Sequence, residues 1–267
     1  MVKRQPLNSS GIYYDSANLA DFKKWFSAGI LGGATTNPLI LQKEGILNLP
    51  KHISKMIDIS GPNFPISIEI PDSDMSKEGM VALALKYQKK FPENAVIKVP
   101  MDPREPSKAY EVIYQLGQKG VRVNATLGLS MGQLVGAAES LRASKTEGDN
   151  YISLFWARRD EARDQAVKEL VKQGMKRKEA LERVPDAAAS LAMTLNYLEN
   201  HNLTSIRIIA GSIRNVDQIE KAFSSGADIV TITPPLLQQW IFTKRGVETV
   251  QEFNQAYRDV KEKFTLF

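Results

Sequence analysis

The sequence predicts an α/β fold, a (β/α)₈ barrel with extra helices. Three features predict it. Short apolar, β-prone runs recur eight times. Amphipathic stretches of helical period lie between them. The 267 residues give about 33 per unit, room for one strand and one helix. A doubly wound open sheet is the alternative, because periodicity alone does not close a barrel.

The elements follow in order. The β-prone runs cover residues 12–15, 32–36, 66–70, 96–100, 121–126, 151–155, 206–210 and 229–232. Helical stretches between them include residues 18–28, 76–90, 106–119 and 216–225. The connection from Phe155 to Ile206 is too long for one unit. It has room for two or three helices, one basic near residues 176–183 and one at 186–200. Helical signals continue past the eighth strand, at 235–242 and 247–263. The last of these ends in Phe264 and Phe267, which could pack on a neighbouring subunit, although packing on its own barrel is the favoured reading. No Pro/Gly/Ser linker divides the chain, so residues 1–267 read as one domain.

Composition narrows the function classes. With no cysteine, disulfides and thiolate chemistry are excluded. The two histidines, His52 and His201, are far apart, so a zinc site built from His and Cys is not expected, and no metal site is predicted. The polar residues 1–11 lack a signal-peptide core, and no run is long enough to span a bilayer. A cytoplasmic protein without membrane contact is the expectation. The net charge of +5 allows nucleic acid or small anions as partners. The densest basic stretch, residues 172–183, has no interleaved aromatics and reads as a solvated helix face. Small anions are therefore favoured over nucleic acid.

Parallel barrel strands should be unbroken apolar runs. Several here are interrupted near their C-terminal ends, where barrel enzymes keep their chemistry. Lys98 lies in Ala95-Val96-Ile97-Lys98-Val99-Pro100 with no carboxylate beside it in sequence. A buried ammonium without a partner is costly, so the amine would tend to lose its proton. A neutral lysine amine is the nucleophile for a Schiff base. Equally, Lys98 could be salt-bridged to Asp15 or Glu69 and simply hold the barrel together. Asp15 and Glu69 end the first and third strands and are candidate proton carriers. A helix cap is the other reading of Asp15. Thr35, Asn37, Asn124 and Thr126 supply short polar groups suited to sugar hydroxyls. Arg158 follows strand six. Ser212 and Arg214 follow strand seven and precede a helix capped near Asn215 or Asp217, so this end of the ring suits an anion.

Together these residues resemble the transaldolase family, which includes the fructose-6-phosphate aldolases. The resemblance is carried by Asp15, Thr35-Thr36-Asn37-Pro38, Glu69, Val96-Ile97-Lys98-Val99-Pro100, Asn124-Ala125-Thr126, the run from Ser153 to Arg158, and Ser212-Ile213-Arg214-Asn215. They occur in the family's order, from about Gly11 to about Pro235. The resemblance implies a class I aldolase-type barrel and a Schiff base on Lys98. It implies Asp15 as the acid/base at the C4 hydroxyl, and Glu69 with Thr126 as the pair that positions the catalytic water. Asn37, Asn124 and Ser153 would hold a dihydroxyacetone unit, and Arg158, Ser212 and Arg214 a phosphate. No cofactor is implied, and a homo-oligomer is expected. Glu69 and Phe155 stand where the fructose-6-phosphate aldolases have Gln and Tyr, which favours transfer over simple cleavage. Leu39, Trp156, Ala157, Gly128 and Leu129 depart from the usual pattern. The expected reaction moves a dihydroxyacetone unit from fructose 6-phosphate to an aldose. The alternatives are a sulfofructose transaldolase, a fructose-6-phosphate aldolase, or a phosphate-binding barrel isomerase or synthase without covalent chemistry.

Overall fold

The structure is a computed structural model that describes residues 11–263, with side chains to Glu262. Eight parallel strands close into a barrel in sequence order, so the open sheet is excluded. They are β1 (Ile12–Asp15), β2 (Gly33–Thr35), β3 (Ile66–Glu69), β4 (Ala95–Pro100), β5 (Val123–Gly128), β6 (Asn150–Phe155), β7 (Ile206–Gly211) and β8 (Ile229–Ile232). β8 pairs with β1 to complete the ring, with Tyr13 opposite Thr231.

The surrounding helices start where short polar side chains satisfy their free N–H groups. α1 (Leu19–Ser27) is capped by Asn18, which accepts from Ala20 and Asp21 N at 3.0 Å. Asp15 is therefore not its cap. α2 (Pro38–Lys43) and α3 (Leu49–Ser60) were not legible as helices. Each opens with an asparagine cap, Asn37 and Asn48, and a proline in the first turn. Such a pair starts a helix as readily as it makes a turn. α4 (Lys77–Lys90), α5 (Pro106–Gln118) and α6 (Met131–Leu141) complete the first half.

The long connection holds α7 (Trp156–Lys172), α8 (Arg177–Arg183) and α9 (Ala187–Asn200). The basic stretch is broken at Gly174, whose φ of 94° ends α7, and it is largely exposed. Residues 159–201 are clamped onto α7. Buried Arg159 donates from Nε to Ser190 Oγ at 3.1 Å and from Nη2 to the Pro185 carbonyl. Arg163 donates to the Val184 and Leu181 carbonyls at 2.8 and 3.0 Å. Asp160 accepts from Ala187 N at 2.9 Å.

After β7 come α10 (Val216–Ser224), capped by Asn215, then α11 (Pro234–Ile241) and α12 (Lys244–Val260). α12 corrects one expectation. It has no buried residue and does not pack into its own barrel's core. Phe264 and Phe267 lie outside the described residues.

The core has two layers. Most buried apolar side chains lie between strands and helices. Inside the barrel, a smaller cluster of Tyr13, Val96, Tyr151, Ile209 and Ile229 fills the lower half. Tyr13 and Tyr151 meet edge to face, with hydroxyls 3.1 Å apart. Gly33 makes this possible: a Cβ there would lie 2.4 Å from the Tyr13 ring. Overpacking of this kind costs about 1–3 kcal/mol. Gly33→Ala is accordingly expected to lower stability by roughly that amount in urea unfolding.

Candidate active site

Above the apolar plug the inward residues turn polar, and they gather at the C-terminal ends of the strands. Strand register decides which of them meet. Glu69 pairs with Lys98, Lys98 with Asn124, and Pro100 with Thr126. Lys98 is 4% exposed, and its Nζ lies 2.8 Å from Glu69 Oε2. It also donates to the Thr36 carbonyl at 2.9 Å. The lysine is thus not unpartnered. The adjacent strand supplies the carboxylate that its own strand lacks, and this carboxylate is Glu69, not Asp15.

Asp15 belongs to a second polar group. Thr35 Oγ1 donates to Asp15 Oδ1 at 2.8 Å and lies 2.6 Å from Thr231 Oγ1. Burial raises the Asp15 pKa above the usual 3.8, and the charge of Glu69 adds to this. The nearby Lys98 and the Thr35 hydrogen bond oppose the rise without cancelling it. Environments that disfavour a charge in this way are common where a carboxyl group handles protons.

A third chain crosses three strands. Ser153 Oγ donates to Asn124 Oδ1 at 2.7 Å, and Asn124 Nδ2 donates to Ser67 Oγ at 3.1 Å. Thr126 is fully buried, and its hydroxyl has no hydrogen-bond partner among the described residues. Glu69 Oε2 contacts the lysine without an aligned hydrogen bond. Asn37 spends its side-chain oxygen on capping α2, accepting from Ile40 N at 2.9 Å.

The cations sit at the rim. Arg158 is exposed near the start of α7 and has no partner among the described residues. Arg214 is ion-paired with Glu161, one turn along the same helix as Arg158. Ser212 adopts a left-handed φ of 57°, and its carbonyl accepts from Ala157 N at 3.3 Å. That bond ties the turn after β7 to the start of α7, so Arg158, Ser212 and Arg214 share one side of the mouth. Phe155 ends β6 beside them, its ring 3.8 Å from where a Gly211 Cβ would be.

The profile of the Transaldolase/Fructose-6-phosphate aldolase family matches residues 12–266. The chain belongs to that family. A relative from Pelotomaculum thermopropionicum is 28% identical over 254 residues, covering 94% of this chain and 99% of its own. One from Clostridioides difficile is 30% identical over 242 residues, covering 89% and 93%. One from Caldicellulosiruptor saccharolyticus is 30% identical over 256 residues, covering 94% and 99%. All three are named probable transaldolases. A dihydrodipicolinate synthase family protein from Coccidioides immitis shares the fold, with TM-score 0.50 and 13% identity over 86% of this chain and 68% of that one.

The departures from the transaldolase pattern now have positions. Trp156 is buried in the outer layer between barrel and helices, so it does not fill the side of the mouth where Arg158 and Arg214 lie. A Cβ on Gly128 would lie 2.5 Å from Leu134 and 2.6 Å from the Ser153 carbonyl, so β5 has no room for a larger residue there. Leu39 points to solvent.

Sequence reasoning missed Ser67, Thr231 and the Thr36 carbonyl. Ser67 and Thr231 each interrupt an apolar strand, Ile66-Ser67-Ile68 and Val230-Thr231-Ile232. That interruption is the signal by which Lys98 was found. The Thr36 carbonyl left no trace in the sequence.

Proposed function

We propose that the chain is a transaldolase that carries a dihydroxyacetone unit on Lys98. The observation that carries this reading is the buried Lys98 amine at the catalytic mouth, 2.8 Å from Glu69 Oε2. Glu69 is placed to take the proton that a nucleophilic amine must lose. The amine adds to the C2 carbonyl of a ketose 6-phosphate. Loss of the carbinolamine hydroxyl as water then gives a protonated imine. Thr126, buried and unmatched, supports a water between itself and Glu69 during this exchange. Asp15 takes the C4 hydroxyl proton as the C3–C4 bond breaks, and the iminium accepts the electron pair. The aldehyde leaves, and the enamine waits on Lys98. A second aldose then enters and the steps reverse. No metal is needed as electron sink. The Ser153–Asn124 pair suits the hydroxyls of the three-carbon unit. Arg158, Arg214 and Ser212 would hold the head group, whose remote binding energy aligns the reacting carbon.

The test is borohydride reduction after incubation with fructose 6-phosphate, and in parallel with its 6-sulfonate analogue. A dihydroxyacetone adduct on the Lys98 peptide is the expected result, and the ketose that yields it names the head group. If dihydroxyacetone itself also leaves Lys98 unlabelled, the aldol reading is wrong.

Transfer and simple cleavage differ in the fate of the enamine. Phe155 carries no hydroxyl with which to help water protonate it. Phe155→Tyr is expected to release free dihydroxyacetone several times faster without an acceptor, measured by a coupled reductase assay. An unchanged rate would remove Phe155 from the account of transfer.

A further inference from the structure

β8 reads Ile229-Val230-Thr231-Ile232, and Thr231 is its one polar side chain. It is buried, and the reaction above gives it no task. β8 and β2 are the two neighbours of β1. Register sets Thr35 level with Asp15 and Thr231 level with Tyr13, so the two threonines meet across the inward face of β1. The Thr231 methyl lies 3.4 Å from where a Gly211 Cβ would be, so it faces β7. Its hydroxyl is left to face Thr35 Oγ1, 2.6 Å away.

That distance alone does not say which hydroxyl donates. The proton count does. A threonine hydroxyl has one proton to give and two lone pairs with which to accept. Thr35 spends its proton on Asp15 Oδ1 at 2.8 Å. The proton between the two threonines therefore belongs to Thr231. While Asp15 is ionised the chain runs one way, from Thr231 to Thr35 to Asp15. Hydrogen bonds in such a chain polarise one another, which strengthens the last of them. That last bond favours the ionised carboxylate, against the burial that disfavours it. Two charges also bear on Asp15: Lys98 on β4 favours the ionised form and Glu69 on β3 opposes it. From β2 and β8 it is met by the two hydroxyls. The chain also divides the carboxylate. Oδ1 is taken by Thr35, which leaves Oδ2 for a substrate proton.

We propose that Thr231 is a positioning residue for Asp15: it fixes the Thr35 hydroxyl as a donor to Oδ1, so that Oδ2 is the oxygen that receives the C4 hydroxyl proton. The catalytic half of this rests on the aldol reaction proposed above. The hydroxyl chain and its hold on the carboxylate do not.

Two readouts test it. The first is the titration of Asp15 itself, followed by NMR of isotopically labelled aspartate carboxyl groups, with Asp15→Asn to identify the signal. Thr231→Ala removes the donor and should raise the midpoint by about half a pH unit to one unit, the size of one net hydrogen bond. Thr231→Ser returns the hydroxyl and should titrate like wild type. The second readout is the pH profile of transfer. In Thr231→Ala its acid limb should move up with the midpoint, which lowers kcat about 3–10-fold below the limb and little above it. A packing defect would instead lower the rate at every pH. If Thr231→Ala does not fold, Thr231→Val is read in the same way. An unmoved midpoint after removal of the hydroxyl overturns the proposal. So does a Thr231→Ser midpoint shifted as far as that of Thr231→Ala. Borohydride trapping with dihydroxyacetone keeps this result apart from the aldol reading. If the midpoint moves but Lys98 is never labelled, wild type included, the hydroxyl chain stands and the role of Oδ2 falls with the aldol reaction. If Lys98 is labelled and the midpoint does not move, the reaction stands and Thr231 has no part in it.

Discussion

Lys98→Ala is expected to lose at least about 10⁵-fold in turnover and all borohydride-trapped adduct. Losses of this order follow removal of a covalent nucleophile. The alternative is that Lys98 only ties β3 to β4, in which case the variant loses stability and keeps its chemistry. Both effects are anticipated, because removing one partner of a buried ion pair typically costs about 3–5 kcal/mol. The side chains of Lys98 and Glu69 are 5% and 11% exposed, close to that limit. Two further variants separate the effects. Lys98→Ala/Glu69→Gln removes the stranded carboxylate and should regain much of the stability while remaining inactive. Lys98→Cys introduces the only thiol in the chain, and alkylation with 2-bromoethylamine rebuilds an amine at nearly the original length. Partial recovery of the adduct after alkylation would assign the role to the amine itself. Turnover that survives in Lys98→Ala would end the Schiff-base account.

The second large effect is at Asp15. Asp15→Asn is expected to cut transfer by roughly 10²–10⁴-fold, the usual share of a general acid/base. Imine formation with dihydroxyacetone should persist, because that step needs Glu69 and not Asp15. Single-turnover trapping beside steady-state rates would separate the two. In the proposed mechanism cleavage requires ionised Asp15, and burial has raised its pKa above 3.8. Activity should therefore fall on the acid side at a pH above that value. Stability runs the opposite way. The folded state holds the Asp15 proton more tightly than the unfolded chain does. Its contribution is neutral below the unfolded pKa, becomes destabilising as pH rises from there, and levels off once pH has passed the folded one. Asp15→Asn should then melt higher than wild type at neutral pH while working far worse. A variant that loses activity and stability together would mean that Asp15 holds the barrel and not a substrate proton.

The barrel was legible because eight short apolar runs alternate with helical stretches, and the site because several of those runs are interrupted by a polar residue near the C-terminal end. Lys98, Glu69, Asp15 and Asn124 were all found by that interruption. Their partners were less legible. Glu69 and Asp15 were equal candidates for Lys98 in sequence, and only the β3–β4 register, with Glu69 level with Lys98, decides between them. Side-chain direction was equally hidden. Trp156 and Arg158 are two residues apart, yet the turn into α7 sends one into the outer core and the other into solvent. The two helices after β2 were not picked out by period, because α2 is only six residues long and the prolines at Pro38 and Pro50 are as compatible with a turn as with a helix start. The last helix was misjudged for a different reason. An amphipathic pattern marks one face as apolar but does not say where the helix sits, and α12 has no buried residue.

The tyrosine plug closes the barrel from below. An open cavity of about 1250 Å³ at the N-terminal ends of the strands reaches Tyr151 and Arg207. It goes no further, because Tyr13, Val96, Tyr151, Ile209 and Ile229 fill the lumen. Lys98 is therefore reached only from the C-terminal mouth. In the proposed reaction an outgoing aldehyde and an incoming one would use that mouth in turn, so a double-displacement rate law is expected, with parallel lines when reciprocal rate is plotted against reciprocal donor at several acceptor levels.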